Sequence, residues 1–280
     1  MTRALYTDRS DRGKLRFTGA QRAWFLHQIL TNDFEDIAAG EARDSALLTA
    51  HGRMVGFAEV VATDDSLLMH FERSLRATLP EAIERYVIAT QVEIEDVTDD
   101  RALLLLVGDD WGGIASGLGI DAIPHPTSSL GVPAGYVWVA REKVVGVAAA
   151  LEDAGAEPAT EARLEEIRIE NGVPRWGFEM DDRTFPQEVA IDETSVNYDK
   201  GCYVGQEAMA KIHLRGKVNR RLRQLEGPEP LEPGTELISD DAPVGTVTSA
   251  AGTKALGMLK YTIYPGDLVT ANGHDVKVVN

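Results

Sequence analysis

The sequence predicts an α+β fold that is followed by a small C-terminal β-barrel. Strand-like and helix-like segments alternate irregularly, which favours mixed sheets with helices on one face over a doubly wound parallel sheet. No GxGxxG or P-loop pattern opens a nucleotide site. After Leu225, Gly and Pro separate short β-prone runs such as Gly245–Ser249 and Ala255–Leu259. We therefore divide the chain into an α+β region, residues 1–223, and a barrel, residues 224–280. We place a division into two subdomains near residue 100 and allow the chain to cross over between them.

The first half of the α+β region begins with an amphipathic helix that Thr18 is placed to cap and that Asn32 and Asp33 end. Alternating apolar residues then predict strands and a hairpin, and apolar residues at helical spacing predict a second helix. The predicted elements after the first helix are strands Ser45–Ala50, Arg53–Ala62 and Ser66–Phe71, helix Leu75–Val87, and strands Gln91–Val97 and Ala102–Val107.

The second half shows the same irregular alternation. A segment rich in Pro, Ser and Gly predicts a loop over residues 120–135. The predicted elements around it are a short helix in Gly108–Gly119, strand Tyr136–Ala140, helix Glu142–Ala154, a helix from its Thr160 cap to Asn171, and a helix over about Gly205–Leu214.

The formal charge of −17 argues against a broad nucleic-acid surface, because neutralising phosphates requires clustered basic residues. One local run reverses this charge. Its basic residues are Lys211, Arg215, Lys217, Arg220, Arg221 and Arg223. The run is suited to an anionic ligand tail or an acidic partner, and equally to a solvated face.

The longest apolar run, Ala102–Val107, is far shorter than the roughly 20 residues that span a bilayer. The first residues, Met1 to Arg12, are too polar for a signal peptide, so we expect a cytoplasmic protein without a membrane partner. A single cysteine cannot build a zinc or iron–sulfur site alone, and the six histidines are scattered. We predict no metal site.

That cysteine, Cys202, lies in the segment Lys-Gly-Cys-Tyr-Val-Gly-Gln-Glu, residues 200–207. Lys200 brings a positive charge, and the helix predicted from about Gly205 would direct its positive dipole end at the sulfur. Both effects favour the thiolate, and glycines at 201 and 205 allow tight turns or close approach of a ligand. The alternative is that Cys202 is a small buried apolar residue, which is the usual role of a free cysteine.

Glu170 is out of place electrostatically. It lies in the last helical turn before Asn171-Gly172, where the helix dipole disfavours a carboxylate. A ligand that offers paired N–H donors could hold it there. A salt bridge to Arg168, Arg175 or the basic run would serve equally well.

The loop that follows, Val173–Glu179, contains Trp176 and Phe178 on either side of a glycine. Aromatic side chains more often belong to a core, but in a loop they can present a flat face to a planar ring. We expect this loop to contribute to a ligand site.

The segment 200–207 resembles the signature of the folate-binding YgfZ family, relatives of the glycine-cleavage T-protein. Residues 168–174, with Gly177 and Pro186, resemble the segment that precedes it in both groups. Fainter resemblances cover residues 25–33 and 47–53. Together these segments span most of the chain in the expected order.

The resemblance implies three parts arranged around a central tetrahydrofolate pocket, with the barrel as the last part. It implies that Glu170 corresponds to the glutamate that holds the pteridine ring, whose edge offers N–H donors. We also expect Trp176, Tyr203, Gln206 and Asn32 to contact the folate. Gly201, Gly205 and Glu207 belong to the motif, in which we expect Cys202 to be the functional thiol and Lys200 to be its modulator.

One departure from the T-protein separates the possible activities. The T-protein has an acidic pair at positions that align with Gly56 and Phe57, so the matching acid/base carboxylate is missing here. The missing acids argue against an aminomethyltransferase, and the resemblance to the YgfZ family implies a folate-dependent accessory factor in the assembly or repair of iron–sulfur proteins, which would be its partners. The alternatives are a folate-dependent one-carbon transferase or demethylase that uses Cys202 or Glu207, and an interaction module without folate.

Overall fold

The computed structural model of the protein describes residues 3–119, 121–216 and 218–280. These residues form two five-stranded sheets with helices and a closed six-stranded barrel, which confirms the predicted α+β fold with a C-terminal barrel. None of the described helices is long and apolar enough to cross a membrane. Ile120, in the predicted loop, and Lys217, in the basic run, lie outside the described residues.

The strands, in chain order, are β1 Leu5–Asp8, β2 Gly13–Thr18, β3 Ala42–Leu48, β4 Met54–Ala62, β5 Leu67–Phe71, β6 Glu93–Asp96, β7 Arg101–Val107, β8 Ile123–Pro126, β9 Ala134–Ala140, β10 Glu157–Pro158, β11 Arg220–Glu226, β12 Glu236–Ser239, β13 Ala242–Ala251, β14 Lys254–Lys260, β15 Leu268–Ala271 and β16 His274–Val278. The helices are α1 Arg22–Ile29, α2 Thr78–Glu84, α3 Trp111–Ser116, α4 Val144–Asp153, α5 Glu161–Glu170, α6 Asp192–Ser195 and α7 Gln206–Arg215.

The N-terminal sheet has the order β3-β4-β5-β2-β6, and all its neighbouring strands are antiparallel. The helices α1 and α2 contribute to the core on one of its faces, where Phe17, Phe25 and Met69 pack together. The strands alternate between the two faces of the sheet. This alternation directs Val61 and Leu68 into a second apolar cluster with residues of the middle sheet.

The middle sheet has the order β10-β1-β7-β9-β8. Its strand β1 comes first in the chain, so the chain starts in the middle sheet, enters the N-terminal sheet at β2 and returns at β7. Leu105 and Trp138 lie in the cluster shared with Val61 and Leu68. The helices α3 and α4 contribute to a separate cluster around Leu104. The residues between β1 and β2 therefore lie where the two sheets meet.

The barrel closes through β11-β14-β13-β12-β15-β16 around an apolar interior. Its first strand begins at Arg220, so the predicted boundary after residue 223 falls inside β11. Helix α5 lies against β13 and β14. The barrel is thereby attached to the helix that carries Glu170.

Two local predictions differ from the structure. Thr18 does not cap α1: it is the last residue of β2 and pairs with Glu93, and the helix begins at Arg22 after Gln21. The short strand β8 lies within the segment predicted as a loop. Its two prolines are tolerated because β8 is an edge strand, where a missing N–H breaks no interior ladder. By contrast, Thr160 caps α5 as predicted, and its hydroxyl accepts a hydrogen bond from the Arg163 backbone N–H.

Candidate functional site

A cavity of about 90 Å³ lies where the two sheets meet α5 and the loop that follows it. Phe57, Tyr136 and Trp176 supply aromatic surface, and aliphatic side chains complete the apolar part of the wall. The remaining residues of the wall are Arg9, Arg12, Asp44, Glu59, Glu72, Leu105, Ser128, Ser129, Leu130, Glu165, Arg168, Val173, Pro174, Arg175, Met180, Ile191, Thr194 and Ser195. An apolar enclosure with a few convergent polar groups is typical of a small-molecule site.

Two acidic side chains enter the cavity from neighbouring strands. Asp44 of β3 lies directly opposite Glu59 of β4 in the antiparallel ladder, so both project from the same face of the N-terminal sheet. The Ser128 hydroxyl donates a hydrogen bond to Asp44 Oδ2 over 2.6 Å. Within the described part of the chain, neither carboxyl forms an ion pair with a lysine or an arginine.

Burial governs the ionisation of this pair. Burial, and next the neighbouring Asp44 carboxylate, raise the pKa of Glu59 to about 8 against the opposing effect of Arg12. Burial also raises the pKa of Asp44. Two close carboxyls that both resist ionisation titrate together, and at neutral pH they retain a proton between them. The pair can then donate one hydrogen bond and accept several.

The opposite part of the wall contains arginines and glutamates that neutralise one another. Arg9 pairs with Glu161, Arg12 pairs with Glu72, and Arg175 contacts Glu72, Glu161 and Glu165. Each of these glutamate carboxylates thus pairs with at least one guanidinium, so this part of the wall offers a ligand little uncompensated charge. The carboxyls of Asp44 and Glu59 are different because they lack such partners.

Arg168 anchors this network in the interior. Only 2% of its surface is exposed, and its Nη1 donates to Glu179 Oε2 over 2.9 Å. Its Nη2 donates to the hydroxyl of Ser249, which lies on β13 and in turn donates to Glu179. The barrel therefore supplies one member of the buried cluster that supports the cavity wall.

Two polar atoms in the wall lack partners. Arg9 Nε and Ser129 Oγ are buried and form no hydrogen bond with any described group. Buried polar atoms in folded proteins are nearly always satisfied, and those that are not are often completed by water or a ligand. These two atoms therefore add hydrogen-bonding capacity for a polar molecule in the cavity.

Behind Glu59 lie two buried histidines, and the three side chains bring potential metal-ligand atoms within 4.8 Å of one another. Their hydrogen bonds do not suit a metal. Arg12 Nε donates to His70 Nδ1, while His125 accepts from Trp138 Nε1 and contacts the Pro126 carbonyl oxygen through its other nitrogen. A guanidinium this close would also repel a cation.

His70 is consequently a neutral imidazole. Burial and the adjacent Arg12 charge hold its pKa well below the usual value. Since Nδ1 accepts a hydrogen bond, the ring proton resides on Nε2. That nitrogen has no hydrogen-bond partner among the described groups and lies 4.0 Å from Glu59 Oε2.

Among the residues predicted to bind folate, the structure brings Trp176 to the cavity. Asn32 lies in an adjoining cleft that shares Asp44, Ser128 and Thr194 with the cavity. Its side-chain amide donates to the backbone carbonyls of Asp44 and Thr194. Asn32 thus connects the rim of the cavity to α6.

Glu170 does not lie in this cavity. It is exposed on the side of α5 that faces the barrel, where Lys254 Nζ donates to its Oε1 over 2.8 Å. This hydrogen bond lowers the pKa of Glu170. A salt bridge is one of the two alternatives that the sequence leaves open for Glu170, and its partner is Lys254 of the barrel rather than Arg168, Arg175 or the basic run. The assignment of Glu170 to a pteridine therefore gains no geometric support, and its role stays a prediction.

Lys200 contacts α1 in this structure. Its ammonium donates to the backbone carbonyls of His27, Leu30 and Asn32, the last two over 2.7 Å each. These bonds use all three N–H donors and satisfy carbonyl groups that the end of a helix leaves free. Burial lowers the pKa of Lys200 to about 8. Lys200 thus fastens α1 to the 200–207 segment, and its predicted effect on Cys202 stays a prediction.

Gly205 immediately precedes α7, and its φ of 85° lies in the left-handed region that favours glycine. A Cβ atom there would lie 2.6 Å from the Thr49 carbonyl oxygen, so only glycine allows α7 to approach the β3–β4 turn so closely. Gly201 lacks this constraint, since a Cβ there would meet only His27 Nε2 at 3.6 Å. The segments 25–33, 47–53 and 200–207, which are three of the four that carry the sequence resemblance, are thus neighbours in space.

The remaining residues of this segment lie outside the cavity wall. Cys202 is an exposed free thiol, and Glu207 is an exposed residue that pairs with Lys211. Gln206 donates to the Lys200 carbonyl. Tyr203 is buried, its hydroxyl has no partner among the described groups, and burial raises its pKa to about 12. The exposure of Cys202 excludes the alternative of a buried core thiol.

Sequence reasoning missed Asp44 and Glu59. A signal existed in the strand 54–62, where one carboxylate interrupts a segment of otherwise uncharged residues. A Cβ at Gly56 would lie 2.8 Å from Leu79, and Phe57 forms part of the cavity wall. Glu59 follows Phe57 by two residues and so faces the same side of the strand.

Comparison with known proteins agrees with this fold. Residues 219–280 match the family model described as CAF17, C-terminal beta-barrel domain. The structure superposes on aminomethyltransferase T of the glycine cleavage system from Bartonella henselae with a TM-score of 0.90, covering 99% of this chain and 85% of that chain at 17% identity. The chain therefore has the aminomethyltransferase fold.

Relatives by sequence carry different names. The chain is 28% identical to a putative chloroplastic transferase of Arabidopsis thaliana, over 88% of this chain and 62% of the relative. It is 26% identical to an aminomethyltransferase of Rubrobacter xylanophilus, over 91% and 74%. It is also 26% identical to the mitochondrial iron–sulfur cluster assembly factor IBA57 homolog of Neurospora crassa, over 79% and 53%. The chain thus spans less than two thirds of the plant and fungal relatives.

Proposed function

We propose that this protein is a tetrahydrofolate-binding accessory factor in the assembly or repair of iron–sulfur proteins. The barrel domain and the similarity to a fungal iron–sulfur assembly factor support a role in that process. The central cavity is the proposed folate site, and the exposed Cys202 is the proposed thiol that acts on a cluster, a persulfide or a partner protein. The narrower assignment to the YgfZ family belongs to this proposal.

The observation that carries the folate proposal is the chemistry of the cavity wall. Aromatic side chains, including Trp176, offer flat apolar surface for a ring, and the carboxyls of Asp44 and Glu59 are free of cationic partners. The pteridine edge carries N–H donors, for which carboxyl oxygens are good acceptors. The unpaired Arg9 Nε can serve a ring carbonyl oxygen. The residues present therefore fit the reduced pteridine of folate, which supplies a carrier for one-carbon groups when bound.

Binding can be tested by calorimetric titration of tetrahydrofolate and of its 5-formyl derivative into the wild-type protein. Saturable binding with about one site per chain is expected, together with protection against thermal unfolding, because a ligand that binds the native state stabilises it. If neither folate binds or protects, the folate part of the proposal is wrong.

The thiol part has a separate test. Cells that lack this protein are supplied with the wild type or with Cys202→Ser, and the activities of their iron–sulfur enzymes are measured. The variant should fail to restore those activities while it keeps the wild-type melting temperature and folate affinity, because the side chain is exposed. Full restoration by Cys202→Ser would contradict a role for the thiol.

A folate-dependent one-carbon transferase is a second candidate, and the carboxyl pair favours it. Absence of the T-protein acids at Gly56 and Phe57 argues against transfer chemistry, yet Asp44 and Glu59 offer a proton donor and acceptor nearby. Turnover of an amine substrate by the purified protein with tetrahydrofolate, and without any partner, would support this candidate. Binding without turnover, combined with a requirement for Cys202 in cells, would favour the accessory role.

A further inference from the structure

Asp44 and Glu59 are the feature of the cavity that the sequence comparison does not explain. They are ladder partners on β3 and β4 and project into the same enclosure. Glu59 is only 4% exposed. A buried carboxyl without a cationic partner is costly, so such groups generally belong to sites where they meet a ligand or exchange a proton.

A second observation points to the same place. His70 is fully buried, and its protonated Nε2 faces Glu59 from the strand next to β4 without a hydrogen-bond partner. The gap of 4.0 Å is too long for a direct hydrogen bond. The imidazole N–H can therefore donate to the Glu59 carboxylate only after the two side chains move closer together. An ionised Glu59 could thus accept a hydrogen bond from His70 Nε2 after such a movement.

We propose that Asp44 and Glu59 together form the subsite that receives the N–H edge of a flat nitrogen heterocycle, and that Glu170 has no part in binding it. In this arrangement one carboxylate accepts adjacent N–H groups of the ring, and the Ser128 hydroxyl keeps Asp44 in position. This inference rests on the proposed function, because it names the residues that would hold the pteridine.

Ligand binding should change the protonation of the pair. The free pair holds one proton near neutral pH, and N–H donors favour its ionised form, so the bound proton leaves to solvent as the ligand enters. The other groups that face Glu59 are already fixed in charge by burial or by ion pairs. They are Arg12 and Glu72, which pair with each other, and the buried groups His70, His125 and Tyr136.

The test is calorimetric titration of 5-formyltetrahydrofolate into wild-type protein, Glu59→Gln, Asp44→Asn and Glu170→Gln. Each amide replaces a carboxyl of nearly the same shape but cannot become an anion. We expect Glu59→Gln and Asp44→Asn to weaken binding by tenfold to a hundredfold, the usual loss for a hydrogen bond to a charged group. The matched control Glu170→Gln should stay within twofold of the wild type.

A second readout separates a direct role from a structural one. Titrations in two buffers with different ionisation enthalpies report the protons released on binding. The wild type should release a fraction of one proton per ligand near neutral pH, and Glu59→Gln should release none. Thermal unfolding of each variant shows whether it is folded, and Asp44→Asn provides the test if Glu59→Gln does not fold.

The outcomes distinguish the two proposals. Wild-type binding that Glu170→Gln weakens, while both pair variants bind normally, would overturn this inference and leave the proposed folate function standing. Wild-type binding without proton release would also overturn it. Absence of binding to the wild type would overturn the inference together with the folate site itself.

Discussion

The segment 200–207 and the cavity wall differ in how easily the roles of their residues can be recognised from the sequence. The segment is conspicuous in the sequence, yet several of its residues have architectural contacts: Lys200 holds the end of α1, and Gly205 lets α7 meet the β3–β4 turn. The carboxyl pair of the cavity wall lies outside every motif that the sequence shows. Asp44 and Glu59 become a pair only because two strands align. Residues of a recognisable motif can therefore hold the fold together, while other residues supply the chemical groups of the site.

The largest effect should come from the buried ion pair that supports the wall. Arg168→Met should destabilise the protein by about 3–5 kcal/mol, because it leaves the fully buried Glu179 carboxylate without its cation. Urea unfolding monitored by tryptophan fluorescence would measure this change. Arg163→Met on the same helix is the matched control, since its pair with Glu166 is exposed and is worth less than about 1 kcal/mol. Equal effects of the two variants would contradict the assigned role of Arg168.

The next largest effect on stability is expected in the segment 200–207. Lys200→Met should destabilise the protein by about 2–3 kcal/mol, because three carbonyl oxygens at the end of α1 lose a charged donor. The pH profile of Cys202 alkylation should stay unchanged if Lys200 serves α1 alone. A marked shift of that profile to higher pH would instead support the sequence-based prediction that Lys200 favours the thiolate.

The pH dependence of the unfolding free energy reports the ionisation of Glu59 in the cavity wall. Folding raises the pKa of Glu59 from 4.5 to about 8, so its stabilising protonated state is fully populated below pH 4.5. The unfolding free energy should fall as pH rises from about 5 to 8, by at most about 1.4 kcal/mol per pH unit from this group. Glu59→Gln should flatten the curve in that window. Identical slopes in urea unfolding for the two proteins would count against a raised pKa.

The smallest effect is expected at Glu170. Its ion pair with Lys254 is partly exposed, so Glu170→Gln should change stability by less than about 1 kcal/mol, and less still at high salt. Urea unfolding at low and at 1 M salt would measure this change. A loss comparable to that of Arg168→Met would mean that this contact helps to hold the barrel in place.

The sequence predicted much of the fold because the relevant signals are local. The cap at Thr160, the helix after Gly205 and the Gly- and Pro-separated strands of the barrel each follow from residues close together in the chain. Strands β1, β2 and β8 were not predicted from the sequence, because β1 and β8 are short and lack a clear alternation of apolar and polar residues, and because Thr18, the last residue of β2, resembles a helix cap. The exposure of Cys202 also agrees with its polar neighbours.

The sequence by itself determined most of the helices and strands, the C-terminal barrel and the position of one thiol just before a helix. The tertiary structure alone decided what surrounds each charge. Lys254 reaches Glu170 from 84 residues away, and Ser249 joins Arg168 and Glu179 from the barrel. Asp44 and Glu59 meet at the cavity wall, where burial raises their pKa values. The burial of a charged side chain and its ion-pair partner depend on contacts between segments that are distant in the chain, so local sequence patterns do not predict them.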